Sequence, residues 1–383
     1  MILYIKQYQR KKIAIFHYAF LGGGAEAVAL WMLEALKDKY ELTLFTTANL
    51  DFPTLNLMYG TQLAHSSIKI KSLLPAYLKP LSDFLIANNG NLRKIFIHIL
   101  IRYFKACQRE YDLVVSAYNA MDLGRRGIQY IHWVRVIEGN ALHHQISNFS
   151  EERLQSNISV ANSHTVAEAA KKTYSVECLV VYPPVTADIP QVPWQEKENA
   201  FICSGRLTQA KQPHQVIQIL NQVRAQGFQI KLYLTGGGGG AYARQYKNFV
   251  TSMVEENSDW VTLYKNLPYK DYLKILAKCK YGIHFKSEPF GISVAEMVKA
   301  GAIPFVRSKG GQIEIVGEQN DDLLFANQSE AVSKIVGLLR DYHKQRRLLQ
   351  SLEKRKSLFS TDKFVSDISK LVASYFSDKD PIK

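Results

Sequence analysis

Two glutamates eight positions apart, Glu288 and Glu296, frame the segment Glu-Pro-Phe-Gly-Ile-Ser-Val-Ala-Glu. A proline disfavours helical backbone at the residue before it, so Pro289 places Glu288 on a loop. Gly291 lets the backbone approach a ligand closely. Ile292, Val294, Ala295, Met297 and Val298 then form an apolar helical pattern that ends near Gly301, with Glu296 in its early turns. Carboxylates suit sugar hydroxyls, and the N–H groups at a helix start suit phosphate. The pattern points to a phosphorylated sugar as ligand.

A second group of residues complements the first. The apolar run Ala200–Ser204 leads into Gly205-Arg206-Leu207, and Lys211 lies five residues after Arg206. At the C-terminal end of a strand, both cations would point into a cleft. Fixed cations stabilise the growing charge of a departing diphosphate more than they stabilise the ground state. Arg206 can bind two oxygens at once, whereas Lys211 acts as a point charge. A lone Arg–Lys pair usually marks a solvated loop. The acidic segment that follows favours ligand binding instead.

The elements that must position these groups alternate between strand and helix. Residues 12–17 (KIAIFH), the glycine-rich 21–24, the helical 25–36 and the strand 42–46 make a β-loop-α-β opening. Further strands are expected at 112–117, 129–133, 158–161 and 179–182. Tyr182-Pro183-Pro184 stops regular structure, and 188–199 reads as a linker. A second series follows, with strands at 200–204, 230–235, 261–264, 281–285 and 303–306. Helices are expected at 214–225, 241–256, 270–278 and 329–349. The fold class is α/β, with two Rossmann-like doubly wound domains facing an interdomain cleft. The domains are expected at 1–187 and 188–360, with a C-terminal segment 361–383 that contains an amphipathic helix.

Composition narrows the class. The chain has 383 residues, 47% hydrophobic and 21% charged, which suits a soluble protein of two domains. Its four cysteines, Cys107, Cys178, Cys203 and Cys279, lie far apart without metal-binding spacing, so reduced structural thiols are expected. No apolar stretch is long enough to span a bilayer. The basic start, Met1 to Lys12, lacks the pattern of a signal peptide, and a cytoplasmic location is expected. The net charge of +14 favours an anionic partner. No nucleic-acid-binding motif accompanies it, so no nucleic acid partner is expected. Residues 92–107 mix apolar residues with Arg93, Lys94, Arg102 and Lys105. Such a helix can lie on an anionic membrane as a peripheral contact; the same pattern fits a helix packed on the sheet.

The ordered set of motifs resembles the GT-B retaining glycosyltransferases of family 4, glycosyl transferases group 1. The matching motifs are Gly22-Gly23-Gly24-Ala25-Glu26, Ala161-Asn162-Ser163, Tyr182-Pro183-Pro184, Gly205-Arg206-Leu207 with Lys211, and Glu288 to Glu296. The Gly-Gly-Gly-Ala-Glu loop, the Tyr-Ile-His-Trp stretch and Phe-Gly-Ile-Ser-Val-Ala-Glu look most similar to mannosyltransferases that extend lipid-linked oligosaccharides. The resemblance implies that Arg206 and Lys211 hold the donor diphosphate and that Glu288 binds hydroxyls of the transferred sugar. The amides of Phe290, Gly291 and Ile292 would orient that sugar, and Glu296 would accept from the ribose. Gly23 and Gly24, with Gly205 on the other side, would let backbone approach the donor. His132, at the end of QYIHW, matches the cleft histidine of the family. The resemblance also implies that the C-terminal helix returns to the first domain.

The implied reaction moves a sugar, with retention, from GDP-mannose or a UDP-sugar to a lipid-linked or other membrane-surface glycan. An Asp-x-Asp match occurs at Asp378-Lys379-Asp380, in the polar tail. With Arg206 and Lys211 in place of a cation, no metal or other cofactor is expected. His284, Lys286 and Lys265-Asn266 depart from the family pattern and leave the donor base and sugar open. Two other readings fit the charge and the fold class: a GT-B nucleotide-sugar epimerase or hydrolase, and a non-catalytic basic protein that binds membrane or nucleic acid.

Overall fold

Parallel strands buried on both faces read as continuous apolar runs, and such runs form the centre of both sheets. The protein is described from a computed structural model covering residues 10–20, 23–47, 50–78, 80–81, 84, 89–134, 139–185, 188–237 and 244–377. Gly22, the glycines at 238–240 and the Asp378–Asp380 tail lie outside the described residues.

The chain divides into two compact units. The first comprises residues 1–162, 167–181 and 364–383; the second comprises 163–166 and 182–363. The first holds strands β1 (Lys12–Phe16), β2 (Glu41–Thr46), β3 (Ile68–Ser72), β4 (Leu113–Ser116), β5 (Ile128–Ile131), β6 (Ile158–Ala161) and β7 (Cys178–Val180). They lie in the order β3-β2-β1-β4-β5-β6-β7, all parallel. The second holds β8 (Glu198–Ser204), β9 (Lys231–Gly236), β10 (Val261–Lys265), β11 (Cys279–His284), β12 (Ile303–Arg307) and β13 (Leu324–Phe325). Their order is β10-β9-β8-β11-β12-β13, again all parallel.

Successive strand residues point to opposite faces. Ile13 and Ile15 therefore enter one apolar cluster, while Ala14 and Phe16 enter another across the sheet. Phe201 and Ala200 divide the core of the second unit in the same way. In each sheet the strand order reverses once, between β1 and β4 and between β8 and β11. Loops leaving the C-terminal ends of strands at such a reversal splay apart and leave room for a ligand.

The structure corrects several expectations. The division falls at 181/182 rather than 187/188, because Tyr182 and Val185 already pack into the second unit's core. Strands β3 and β13 were not anticipated; β3 is a short edge strand that alternates isoleucine with lysine, and β13 has two residues. The single helix expected over 329–349 is two, Gln328–Arg340 and Tyr342–Glu353. Asp341 leaves helical geometry between them, and its carboxylate accepts from Lys344 N to cap the second.

The basic segment 92–107 belongs to the helix Gly90–Cys107. Its apolar face, Ile97, Leu100, Ile101 and Phe104, is buried in the first unit. Lys105 is not on a basic outer face. It is buried, with its ammonium donating to Asp122 at 2.6 Å and to the carbonyls of Ser147 and Asn148. Arg93, Lys94 and Arg102 remain exposed. Among the described residues, no helix is long and apolar enough to cross a membrane.

The C-terminal helix Thr361–Phe376 buries Phe364, Ile368, Leu371 and Val372 in the first unit's core. Phe364 meets Tyr130 at 6.3 Å between ring centroids. Replacing Phe364 by alanine is expected to lower stability by about 3–5 kcal/mol. An unchanged urea midpoint would contradict the helix's place in that core.

Candidate active site

The loops after β8 and β11 carry the two groups of residues that the sequence singles out, and these strands are neighbours at the reversal of the second sheet. Gly205 opens the first loop at φ +151°, a conformation that favours glycine. A β-carbon at Gly236, at the end of β9, would lie 2.0 Å from the Gly205 carbonyl oxygen. The two strand ends therefore need glycine to close together. Lys211 N donates to Thr208 O at 2.9 Å, and Gln212 takes a left-handed conformation before the helix Pro213–Ala225. Arg206 is exposed, and among the described residues it makes no hydrogen bond or ion pair. Ser204, Gly205, Arg206, Lys211, Thr235 and His284 line one small recess.

Glu288 lies on the second loop, as Pro289 requires, and its backbone is fixed from behind. Its N–H donates to Gln312 Oε1 at 3.2 Å, and its carbonyl accepts from Gly311 N at 2.9 Å. A β-carbon at Gly310 would meet Glu288 O at 2.5 Å, and one at Gly311 would meet Pro289 O at 2.0 Å. Ser163 Oγ also donates to Pro289 O, at 2.7 Å. Gln312, Gly310 and Gly311 were missed in the sequence; the visible signal was a Gly-Gly pair just before a short helix.

The Glu288 carboxylate is surrounded by positive or donating groups. Lys211 Nζ lies 2.5 Å from Oε1, and His284 Nε2 lies 3.1 Å from the same oxygen. Lys286 Nζ is 3.6 Å from Oε2. Burial by itself would raise the pKa of this carboxyl. The His284 hydrogen bond and the Lys211 charge outweigh that effect and hold it at about 2. Lys211, expected to face a diphosphate, is thus paired with the sugar-binding candidate.

Glu296 sits on the helix Ile292–Lys299, which starts after Gly291 at φ +106°. Its surroundings differ from those of Glu288. Oε1 accepts from Tyr269 Oη and Oε2 from Tyr272 Oη, each at 2.7 Å. Burial raises its pKa, and the two phenols pull it partly back. The tyrosines were not singled out in the sequence, although their spacing of three places them on one helix face. The Phe290 side chain packs between Tyr182 and Phe359, at 5.7 and 5.6 Å. Only its backbone is therefore left for a ligand. Phe290, Gly291 and Ile292 form the helix start, whose first N–H groups have no partner within the helix.

The remaining candidates belong to the first unit. Gly23 N donates to Tyr59 Oη at 3.0 Å, and that hydroxyl lies 3.1 Å from Glu26 Oε2. Tyr59, unforeseen in the sequence, thus fixes the glycine loop, while Gly24 is the first residue of the helix Gly24–Leu36. His132 follows β5. Its N–H donates to Asn119 Oδ1 at 2.9 Å, and its Nε2 meets Ala117 O at 3.0 Å. Burial lowers its pKa to about 4, so the ring is neutral at pH 7 and Nε2 carries the proton. His17, at the end of β1, is 1% exposed, and among the described residues neither ring nitrogen has a hydrogen-bond partner. Burial, helped by nearby His132, lowers its pKa to about 3.

Residues 185–355 match the family described as Glycosyl transferases group 1. The fold matches solved GT-B structures along nearly the whole chain. HepE of Anabaena, in complex with UDP and glucose, is 17% identical with a TM-score of 0.68, covering 96% of this chain and 100% of that one. Sucrose-phosphate synthase of Thermosynechococcus elongatus is 15% identical with a TM-score of 0.68, at 96% and 100% coverage. WaaG, a glycosyltransferase involved in lipopolysaccharide biosynthesis, is 12% identical with a TM-score of 0.67, at 94% and 99% coverage. No curated protein matches the chain. The fold is GT-B, the second unit carries a glycosyltransferase domain, and the chain is a transferase enzyme.

Acid should act on these groups in two windows. The folded pKa values of His17 and His132 lie below the usual 6.5, so their contribution to stability is complete above pH 6.5. It is lost as pH falls through about 4 and 3. The Glu288 contribution is complete above its ordinary 4.5 and is lost as pH falls toward 2. Glu288→Gln is expected to remove on the order of 2–3 kcal/mol of pH dependence from the lower window only. Urea midpoints measured between pH 7 and pH 2 check both; parallel curves for the two proteins would contradict the Glu288 assignment.

Proposed function

We propose that the chain is a retaining glycosyltransferase of family 4 type. It moves a sugar from a nucleotide diphosphate donor, GDP-mannose or a UDP-sugar, to a lipid-linked or other membrane-surface glycan. The observation that carries this reading is the junction of Lys211 and Glu288 at 2.5 Å, with exposed Arg206 lining the same recess. A diphosphate would draw on Lys211 and Arg206, and the hydroxyls of the transferred sugar would donate to Glu288. The UDP and glucose in HepE support a donor of this chemistry.

In the proposed reaction, the bond between the anomeric carbon and the donor phosphate oxygen breaks. The acceptor oxygen attacks from the same face and loses its proton to the departing phosphate. Arg206 and Lys211 stabilise the diphosphate as its charge grows. That role leaves no step for a divalent cation, and we propose that the enzyme is metal-independent. His132, with Nε2–H committed to Ala117 O, keeps Nδ1 as an acceptor for a sugar hydroxyl. A membrane-surface acceptor is supported by exposed Arg93, Lys94 and Arg102 and by exposed Tyr77, Leu81 and Phe84 in the same stretch of chain.

A thermal-shift panel of UDP, GDP and ADP with their sugars identifies the base, because a ligand that binds the folded state raises its melting temperature. With the donor so found, Lys211→Ala and Glu288→Ala are each expected to reduce kcat by about 10²–10³-fold. Their circular dichroism should be unchanged. Near-normal turnover of both at saturating donor would defeat the reading. Exhaustive chelation should leave turnover intact, and activity lost to chelation and restored by Mg²⁺ or Mn²⁺ would defeat metal independence. Vesicles of phosphatidylglycerol should sediment the protein at low salt and release it at high salt; indifference to the vesicles would count against a membrane-surface acceptor.

A further inference from the structure

We infer that Tyr269 and Tyr272 hold Glu296 as a two-position acceptor for a vicinal diol, and thereby set how strongly the site prefers a ribonucleotide to its 2′-deoxy form. The inference rests on the donor reading above and names two positioning residues for it.

Glu296 is 7% exposed, and each of its carboxylate oxygens takes one phenol hydrogen bond at 2.7 Å. An ionised carboxylate oxygen has two acceptor positions in its plane. Among the described residues, one position on each oxygen is therefore filled and one is left. Two open positions on adjacent oxygens of a fixed group suit two neighbouring hydroxyls, such as those of a ribose. They repel a phosphate. Among the described residues, no lysine, arginine or histidine lies within ion-pair distance of Glu296; the titratable groups that face it are the two phenols.

Contacts around the two helices support the carboxylate's orientation. The Tyr272 hydroxyl gives its single proton to Glu296 Oε2, because a carboxylate oxygen accepts. Ser204 accepts from Thr235 Oγ1 at 2.9 Å, and both residues line the recess that holds Arg206 and Lys211. At the far ends of the helices Tyr269–Lys278 and Ile292–Lys299, the buried Lys197 ammonium donates to both Ala277 O and Ala300 O. The two helices are thus tied at one end by Lys197 and at the other by the tyrosine–glutamate contacts. Losing one phenol frees the carboxylate to turn and leaves one oxygen without its anchor.

The test measures dissociation constants by titration calorimetry for UDP, GDP and ADP and for their 2′-deoxy counterparts. It compares the unmodified chain with Tyr269→Phe and Tyr272→Phe. The unmodified chain should favour its ribonucleotide by about tenfold or more, the scale of one hydrogen bond to a charged group. Tyr272→Phe should weaken the ribonucleotide about tenfold and the 2′-deoxy form little, so that the preference collapses toward unity. Tyr269→Phe should act in the same direction. The melting temperature without ligand separates this outcome from misfolding. Equal weakening of both forms in both variants would assign the tyrosines a purely structural role and overturn the inference. Unchanged binding, or tighter ribonucleotide binding as a phenol vacates the site, would also overturn it. If the unmodified chain binds none of the three diphosphates, the donor reading falls and the inference falls with it.

Discussion

The Lys211–Glu288 ion pair is the interaction on which the arrangement of the second unit's site depends. A buried carboxylate is strongly disfavoured unless it is paired and hydrogen-bonded. Glu288 meets that condition with one lysine in contact, one histidine in contact and a second lysine at 3.6 Å. The loop that follows β8 is drawn to the loop that follows β11 by this pairing. Neither charge stands alone before a ligand arrives. Under the proposed reading, a donor would exchange one set of ionic partners for another instead of burying a charge afresh.

Topology explains why these loops meet. Strands β8 and β11 are neighbours although 74 residues separate the end of one from the start of the other. Their C-terminal ends lie where the strand order reverses. The first unit repeats the arrangement with β1 and β4. His17 there follows β1, and the Ala117–Asn119 turn that holds His132 follows β4. One architectural rule, used twice, brings residues distant in sequence to two strand-end platforms.

Much of this was legible before any coordinates. The long apolar runs announced their strands, because a buried parallel strand needs little else. Pro289 and Gly291 announced a loop and a helix start, and the structure has both. The edge strand β3 was hidden because its lysines look like solvated loop. The break at Asp341 was hidden because an aspartate between two helical stretches fits an exposed helix face equally well. At the site, residue types were readable and partners were not. Nothing local says that Lys211 reaches Glu288, or that Tyr269 and Tyr272 reach Glu296, since each contact joins separate elements. Lys105 misled for the same reason; its basic character looked like surface until Asp122 met it inside.

The glycine pair behind the acidic loop limits how this enzyme can diverge. Any side chain at Gly310 or Gly311 collides with the carbonyls of Glu288 or Pro289. The rear of the loop is therefore closed to gradual change, and drift there would be lost before it could alter specificity. The front is open: Lys286 is about one-third exposed and touches the carboxylate only at long range. If Glu288 binds the sugar as proposed, related enzymes with new sugar preferences should differ first at that position, because it is where a substitution can change the field around Glu288 while the backbone beneath stays in place.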